Sequence, residues 1–335
     1  MKFTESVQFD HPIIQAPMAG VTTPEFVAAS ANAGVLGSIG AGYLSAEATR
    51  EFIQHVRKLT DKPFAVNLFV PEEMNMDEKL VRRAYEQLQP IGEQLGMPSW
   101  ETPFSAPCFN EQVQVVIEEG VPVCSFTFGL PSDDNVLKLK ANHVFLIGTA
   151  TSVEEAVLAE KCGMDAVVVQ GKEAGGHRGS FIGEALIPLK ELVTDVVEQV
   201  QIPVIAAGGI ADKEQMKSMI DLGAQAVQIG TALLATKESG AHPLYKQSVL
   251  QASEGCTELT KAFSGKSARG IRNQFMIEMK EDKPIAPYPI QNDLTKKIRS
   301  EAAAQNRPEF MSMWAGERVH ETEGGSVEKV VKSFF

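Results

Sequence analysis

Eight short apolar runs, each of strand length, recur along the chain and alternate with segments of helical periodicity. The runs lie at residues 12–16, 35–39, 64–69, 122–126, 144–147, 166–169, 203–207 and 226–229. Most are continuously apolar rather than alternating, which is typical of parallel strands that are covered by helices. Because crossovers between parallel strands are right-handed, eight such repeats favour a closed barrel over an open sheet. The sequence therefore predicts an α/β protein with a (β/α)8 TIM barrel.

The helical segments carry their own start and stop signals. Ser152 is followed three residues later by Glu155, which is the pattern of a capping box, and Asp212 can cap a later helix. Glycines end several segments one to three residues before the next strand, at Gly34, Gly120, Gly163 and Gly223. These signals predict short loops from helix to strand.

Two segments are too long for the minimal repeat. Residues 71–112 form an insertion after the third strand, with two expected helices joined around residues 96–99. Residues 252–335 follow the eighth unit as a helical extension. Since no linker rich in Pro, Gly or Ser separates them, we expect a ligand-binding barrel over residues 1–251. The extension over 252–335 is expected to pack on this barrel and not to form an independent domain.

Charge and cysteine content restrict the partners and the location. The formal charge of −12 disfavours nucleic acid or an anionic membrane as a partner and leaves small molecules open. The four cysteines show no CxxC spacing, so we expect neither a disulfide framework nor a metal site, and a reducing cytoplasm suits them. No run of about 18 apolar residues and no apolar signal core is present, so no membrane segment or export is expected.

Glycine-rich turns follow the seventh and eighth predicted strands. Gly208 and Gly209 come after the seventh, and Gly230 and Thr231 come after the eighth. In barrels of this kind these two loops commonly bind a phosphate, because glycines let backbone N–H groups approach it at the start of a helix. The turns could instead serve only as tight connections, but both stand where a phosphate site is expected.

A histidine stands in the glycine-rich turn after the sixth strand. His177 is flanked by Gly175, Gly176 and Gly179, and these small residues would let an imidazole reach a bound substrate. Its ordinary pKa suits a general base near neutral pH. The alternative is a histidine that merely belongs to a flexible turn. The position at the barrel mouth favours the functional interpretation.

Four amide side chains fall within or at the ends of apolar strands, at Gln15, Asn67, Gln170 and Gln228. Buried amides need hydrogen-bond partners. Converging at one mouth, they could bind the edge of a heteroaromatic ring such as that of a flavin. Each could equally well satisfy neighbouring backbone groups.

The extension contains a partial P-loop motif and a run of basic residues. Residues 265–267 resemble the end of a P-loop, but Thr260 stands where the first glycine is required. We expect Lys261, Lys266, Arg269 and Arg272 to form a solvated helix face, with contact of one member with an anionic substrate as the alternative.

Several of these segments together resemble the nitronate monooxygenases. They read QAPMAG at 15–20, QGKEAGGHRG at 170–179, PVIAAGGI at 203–210, QIGT at 228–231, KAFSGKSARG at 261–270 and YPIQN at 288–292. The segment at 170–179 is highly specific, whereas IAAGGI occurs in many phosphate-binding barrels. The resemblance extends over nearly the whole chain.

The resemblance implies a TIM barrel that binds FMN non-covalently. The residues that would contact FMN are Asn67, Gln170, Gly175, Gly208, Gly209, Gln228, Ile229, Gly230 and Thr231. Along the isoalloxazine ring would lie Gln15, Ala16, Pro17 and Met18. His177 would hold the position of the catalytic histidine.

The implied reaction is the oxidation of an alkyl nitronate, such as propionate 3-nitronate, by O2. Its products would be a carbonyl compound and nitrite or related nitrogen oxides. The chain also resembles the NAD(P)H-dependent flavin enoyl-acyl-carrier-protein reductases, which usually have Ser in place of Ala174 and an apolar residue in place of Arg178. A third alternative is an FMN-binding protein without turnover. The sequence leaves the oligomeric state open, a homo-oligomer included.

Overall fold

Eight parallel strands close into a barrel in the computed structural model, which describes residues 3–72, 77–102, 108–280 and 283–335. Among the described residues, three further strands form a separate sheet. In chain order the strands of the described residues are β1 (Ile13–Gln15), β2 (Gly37–Gly40), β3 (Phe64–Phe69), β4 (Val123–Thr127), β5 (Phe145–Ala150), β6 (Ala166–Gln170), β7 (Gly176–His177), β8 (Val204–Ala207), β9 (Ala226–Ile229), β10 (Thr257–Thr260) and β11 (Ala268–Ile271). The separate sheet consists of β7, β10 and β11. The barrel order is β1-β9-β8-β6-β5-β4-β3-β2, and a parallel bridge between Ile14 and Leu36 closes the ring. The predicted TIM barrel is confirmed.

Helices cover the barrel and build the additions to it. They are α1 (Phe3–Val7), α2 (Pro24–Asn32), α3 (Ala46–Leu59), α4 (Glu78–Gln94), α5 (Phe109–Glu118), α6 (Asp133–Ala141), α7 (Val153–Lys161), α8 (Leu189–Gln199), α9 (Lys213–Asp221), α10 (Thr231–Leu234), α11 (Pro243–Leu250), α12 (Gln274–Glu278), α13 (Ile290–Ala304) and α14 (Val327–Lys332), with 3-10 turns at Pro308–Phe310 and Val319–Glu321. Among the described helices, none combines the length and the apolar character that crossing a bilayer requires.

The predicted helix starts at Ser152 and Asp212 are confirmed. Ser152 Oγ accepts a hydrogen bond from the Glu155 backbone N–H at 3.2 Å, and Asp212 Oδ1 accepts one from Gln215 N at 2.8 Å. The Glu155 side chain does not return to the Ser152 backbone, because its carboxylate binds Thr151 and the loop at residues 181–182 instead.

The insertion after β3 differs from the prediction. Its first helix is present as α4, but the second does not begin beside the turn at residues 96–99. It begins at Phe109 as α5, which is the crossover helix between β3 and β4. Residues 103–107, where part of the predicted second helix falls, lie outside the described residues. The prediction was wrong because the glycine turn is followed by an irregular segment that carries Trp100.

Alternating side chains fill the barrel interior. Ala65 and Val168 belong to the inner cluster, whereas their neighbours Val66 and Val167 pack outward against the helices. Phe3 and Phe9, at either end of the α1 segment, belong to the inner cluster and cover the amino-terminal ends of the strands. The carboxyl-terminal ends of the strands are thereby left for a ligand site.

The carboxyl-terminal segment packs on the opposite end of the barrel. Its α13 lies against α4, and Trp100 Nε1 donates a hydrogen bond to the Leu294 carbonyl at 3.0 Å. Strands β10 and β11 form a hairpin that pairs with β7, so that Ala268 stands opposite His177. The short strand β7 was not predicted, because this glycine-rich segment is a strand only through its pairing with β11, which is distant in sequence. The domain boundary between residues 251 and 252 stays a prediction.

Candidate active site

A cavity of about 720 Å³ opens at the carboxyl ends of the barrel strands. Its volume falls within the range of small-molecule and cofactor sites, roughly 300–1,000 Å³. The sequence-predicted residues that line it are Ala16, Pro17, Met18, Asn67, Gln170, Gly175, His177, Gly208, Gly209, Gln228, Ile229, Gly230 and Thr231. The fold thus brings together residues from six strands and their loops.

Gln15 is placed differently from the expectation. Its side chain is 0 % exposed and is absent from the cavity lining. Gln15 Oε1 accepts a hydrogen bond from Ser38 N at 3.0 Å, and Nε2 donates to Ser38 O at 3.2 Å. The buried amide is therefore engaged in joining β1 to β2, and its predicted contact with the isoalloxazine ring is not supported by its position.

The other three amide side chains differ in whether their hydrogen-bonding groups already have partners in the protein. Asn67 Nδ2 donates to Ser125 Oγ and to Thr127 Oγ1, both at 3.0 Å. Gln170 holds the histidine turn, since Nε2 donates to His177 O at 3.0 Å and Oε1 accepts from Gly179 N at 2.9 Å. The Gln228 amide has no hydrogen-bond partner among the described residues. Gln228 is thus the amide best placed to bind a ligand.

The two glycine turns form a cradle of backbone donors. Within the described residues, the N–H groups of Gly208, Gly209, Gly230 and Thr231 have no protein acceptor. Gly208 and Gly209 have φ of +113° and +66°, and a Cβ on either would approach an atom of Ala174 or Glu173 to 2.9 Å. Only glycine suits these positions. Unpaired donors at the start of a helix fit a phosphate group.

His177 lines the same cavity and is held through its ring. Its Nε2 lies 2.8 Å from Ser264 Oγ, and that hydroxyl donates to the Lys266 carbonyl at 3.1 Å. Because a serine hydroxyl has one hydrogen, this network assigns the proton of the neutral imidazole to Nε2. Nδ1 then carries the free lone pair and is the ring atom that can accept a proton.

Aromatic rings surround the imidazole. The ring centroid of His177 lies 5.8 Å from that of Phe128, 6.2 Å from Tyr288 and 5.4 Å from Trp314. Sequence reasoning assigned no role to Ser264, Tyr288 or Trp314. The segments at 261–270 and 288–292 carried a family resemblance, but no pattern placed them beside the histidine.

Burial, which is the largest cause, and the nearby cations Arg299 and Lys266 together lower the pKa of His177 to about 3. The imidazole is therefore neutral at ordinary pH, which is the form that accepts a proton. The role of general base near neutral pH stays a prediction, but the pKa lies well below the ordinary histidine value because burial disfavours the imidazolium. A negative charge forming in the cavity would raise the pKa of His177 again.

The lowered pKa of His177 predicts how the stability of the protein depends on pH. In the unfolded chain His177 takes up a proton below about pH 6.5, whereas in the folded protein it stays neutral until about pH 3. Its contribution to the free energy of unfolding is complete above pH 6.5 and is lost as the pH falls toward 3. Between pH 6.5 and 3, the free energy of unfolding of the flavin-free parent protein, measured in urea, should fall by about 1–3 kcal/mol more than that of His177→Asn. Parallel pH curves for the two proteins would contradict the lowered pKa of His177.

The cavity lining is positive although the protein is acidic overall. Among the described lining residues, Lys296, Arg299 and Arg318 are opposed by one carboxylate, Asp293. The whole chain has a formal charge of −12. A locally positive cleft in an acidic protein favours anionic ligands.

Other members of the motif at 170–179 have structural roles. Glu173 Oε2 accepts from Leu189 N at 3.0 Å and so caps α8. Arg178 is 3 % exposed and donates to the Gln170 carbonyl at 3.0 Å. Of the four charged or titratable side chains in this motif, His177 lines the cavity, whereas Lys172, Glu173 and Arg178 do not.

The basic run does not form a solvated helix face. Its members lie in or near the hairpin of β10 and β11, where the Lys266 side chain is 15 % exposed and Arg269 is 9 % exposed. Arg269 Nη2 donates to the Lys172 carbonyl at 3.1 Å, and Lys266 forms an ion pair with Glu72. Strand pairing with β7 explains the error, because it buries a hairpin that sequence spacing cannot place. Within the described part of the chain, no group of His, Cys, Asp and Glu could hold a metal ion.

Comparison with known sequences agrees with this geometry. The family model described as nitronate monooxygenase matches residues 2–335. A probable nitronate monooxygenase from Staphylococcus saprophyticus is 44% identical over 99% of this chain and 96% of its own length. One from Bacillus subtilis is 42% identical over 98% of this chain and 96% of its own length.

Solved structures show the same likeness. A nitroalkane oxidase from Streptomyces ansochromogenes superposes with a TM-score of 0.93 and 35% identity, covering 99% of this chain and 96% of the other. FabK from Thermotoga maritima superposes with a TM-score of 0.79 and 32% identity, covering 99% and 93%. Both similarities extend over the barrel and over the additions to it.

Proposed function

The chain belongs to the nitronate monooxygenase family, and we propose that it binds FMN in this cavity and oxidises alkyl nitronates with O2. The substrates would include propionate 3-nitronate, and the products would be carbonyl compounds with nitrite or related nitrogen oxides. As a member of this family the protein is an enzyme, an oxidoreductase with a small-molecule substrate. The observation that carries the proposal is a neutral histidine that shares one cavity with a cradle of unpaired backbone donors.

The residues present fit FMN. The unpaired N–H groups of Gly208, Gly209, Gly230 and Thr231 would hold its phosphate. The ring would be held by the remaining lining residues from the predicted set, which are Ala16, Pro17, Met18, Asn67, Gln170, Gly175, Gln228 and Ile229. The flavin would supply the electron transfer between nitronate and O2 that side chains cannot perform.

His177 would act before oxidation when the substrate is a neutral nitroalkane. Its Nδ1 lone pair would accept the acidic α-proton, while Nε2–H remains hydrogen-bonded to Ser264. The imidazolium that forms would be stabilised by the new nitronate anion beside it. Phe128 and Trp314 lie beside the ring, and their apolar surfaces would strengthen this interaction. A preformed nitronate needs no base, and His177 would then only orient it.

The test is anaerobic reduction of the yellow protein by each candidate donor. The protein is mixed separately with propionate 3-nitronate and with NADH, while the visible absorbance of the flavin is followed. We expect the nitronate alone to change the flavin spectrum. Reduction by NADH alone would support the enoyl-acyl-carrier-protein reductase instead. A spectrum unchanged by both would favour FMN binding without turnover, and protein that cannot bind FMN would contradict the proposed cofactor.

A cytoplasmic location and a homo-oligomeric state remain proposals. The cysteines Cys108, Cys124, Cys162 and Cys256 are free thiols, which suits a reducing compartment. Cell fractionation and light scattering of purified protein would test the two proposals separately.

A further inference from the structure

A buried carboxylate lies behind the histidine turn. Glu155, on α7, is 0 % exposed, and it accepts hydrogen bonds from four donors. Thr151 provides its backbone N–H at 2.5 Å and its hydroxyl at 2.8 Å. Phe181 and Ile182 each provide a backbone N–H at 2.6 Å. The carboxylate thus joins the start of α7 to the loop that follows His177.

The glycine-rich turn needs external support to have one conformation. Glycines at 175, 176 and 179 leave the backbone around His177 with little stiffness of its own. On one side Gln170 binds the His177 carbonyl and the Gly179 N–H. On the other side Glu155 binds the backbone four and five residues after the histidine. These two attachments add to the pairing of β7 with β11 and to the contact of the ring with Ser264.

We propose that Glu155 is a positioning residue that sets the place of His177 in the cavity by holding the backbone at residues 181–182. The role in turnover rests on the proposed function, in which His177 accepts the substrate proton. The positioning itself is a property of the protein without substrate.

The contacts require a carboxylate at this position. All four contacts place donors against Glu155, and a glutamine would turn its own NH2 group toward some of them. Buried donors that lose their acceptor are destabilising, so the loop would move to find water. Glu155 does not act through its charge on the imidazole, because the pKa of His177 is lowered by burial, Arg299 and Lys266.

The variant Glu155→Gln tests the proposal, with Ser152→Ala as its matched control. Ser152 caps the same helix α7 through the Glu155 backbone N–H but does not touch the loop at 181–182. We expect Glu155→Gln to lower kcat on a nitroalkane by roughly tenfold to a hundredfold with KM little changed, since a displacement of about 1 Å can have such an effect. Ser152→Ala should lower thermal stability and leave kcat unchanged.

A second readout does not depend on activity. Histidine labelled with 13C at Cε1 reports the titration of each imidazole by NMR, and His177→Asn identifies the signal of His177. The groups that face His177 are Ser264, Lys266, Tyr288 and Arg299, and none is altered by the substitution. We expect the His177 signal, which does not titrate down to about pH 3 in the parent protein, to titrate at higher pH in Glu155→Gln. Ser152→Ala should leave it unchanged.

Each outcome decides the proposal. If Glu155→Gln loses only stability, with kcat and the His177 titration as in Ser152→Ala, Glu155 is a structural residue and the proposal fails. If the parent protein turns over no nitro compound, the proposed function fails, but the NMR comparison still decides the positioning role. Should Glu155→Gln not fold, Glu155→Asp keeps the charge and withdraws it from the loop, and the same two readouts apply.

Discussion

Replacing His177 by alanine is expected to lower kcat/KM for a neutral nitroalkane by roughly 10²–10⁴-fold, the usual effect of losing a general base. The effect on the corresponding preformed nitronate should be less than about tenfold, because no proton has to be removed from it. The reason is structural, because Nδ1 of the neutral ring keeps a free lone pair when Nε2–H is hydrogen-bonded to Ser264. Initial rates of O2 consumption with nitroethane and with ethylnitronate measure both effects.

The matched control is His55→Ala on α3, whose side chain is 53% exposed. It should leave both rates unchanged. Equal losses on the two substrates in His177→Ala would count against the base and would assign His177 to orientation or charge stabilisation. Because the free-protein pKa is about 3, we also expect no loss of nitroalkane turnover due to His177 between pH 8 and about pH 5.

Replacing Gly209 by alanine should weaken FMN binding on the order of a hundredfold. Gly209 has φ of +66°, and a Cβ there would approach Glu173 Cβ to 2.9 Å. The backbone must therefore shift, and the shift moves the unpaired N–H groups that would hold the phosphate. Titration of the flavin-free protein with FMN, followed by quenching of flavin fluorescence, gives the dissociation constant.

Gly183→Ala separates backbone strain from phosphate binding. Gly183 has nearly the same φ, +69°, but has no atom within 4 Å of an added Cβ and does not line the cavity. Both variants should lose about 1–2 kcal/mol of stability from the left-handed conformation. Only Gly209→Ala should lose FMN affinity. Equal weakening in both would show that the affinity loss reflects stability, and unchanged affinity in both would contradict the cradle.

Local periodicity was enough to predict the barrel. Most residues of each strand-length apolar run are buried in the structure, and caps such as Ser152 and Asp212 act within three residues of their targets. The predicted glycine turns at 208–209 and 230–231 line the cavity because the barrel topology assigns the loops after consecutive strands to the same end. The predictions were wrong where a side chain has a hydrogen-bond or packing partner that is distant in sequence. Gln15 was expected at the ligand, but Ser38, 23 residues away, satisfies its amide.

The sequence by itself determined the (β/α)8 barrel, the loops that face its mouth and the presence of a histidine among them. These features follow from short-range patterns of apolar spacing, caps and glycines. The tertiary structure alone decided which residues surround that histidine. Ser264, Tyr288 and Trp314 reach His177 because β11 pairs with β7, and Glu155 reaches the loop after it from α7. Contacts between distant segments depend on packing and hydrogen-bond satisfaction in three dimensions, which local sequence patterns do not record.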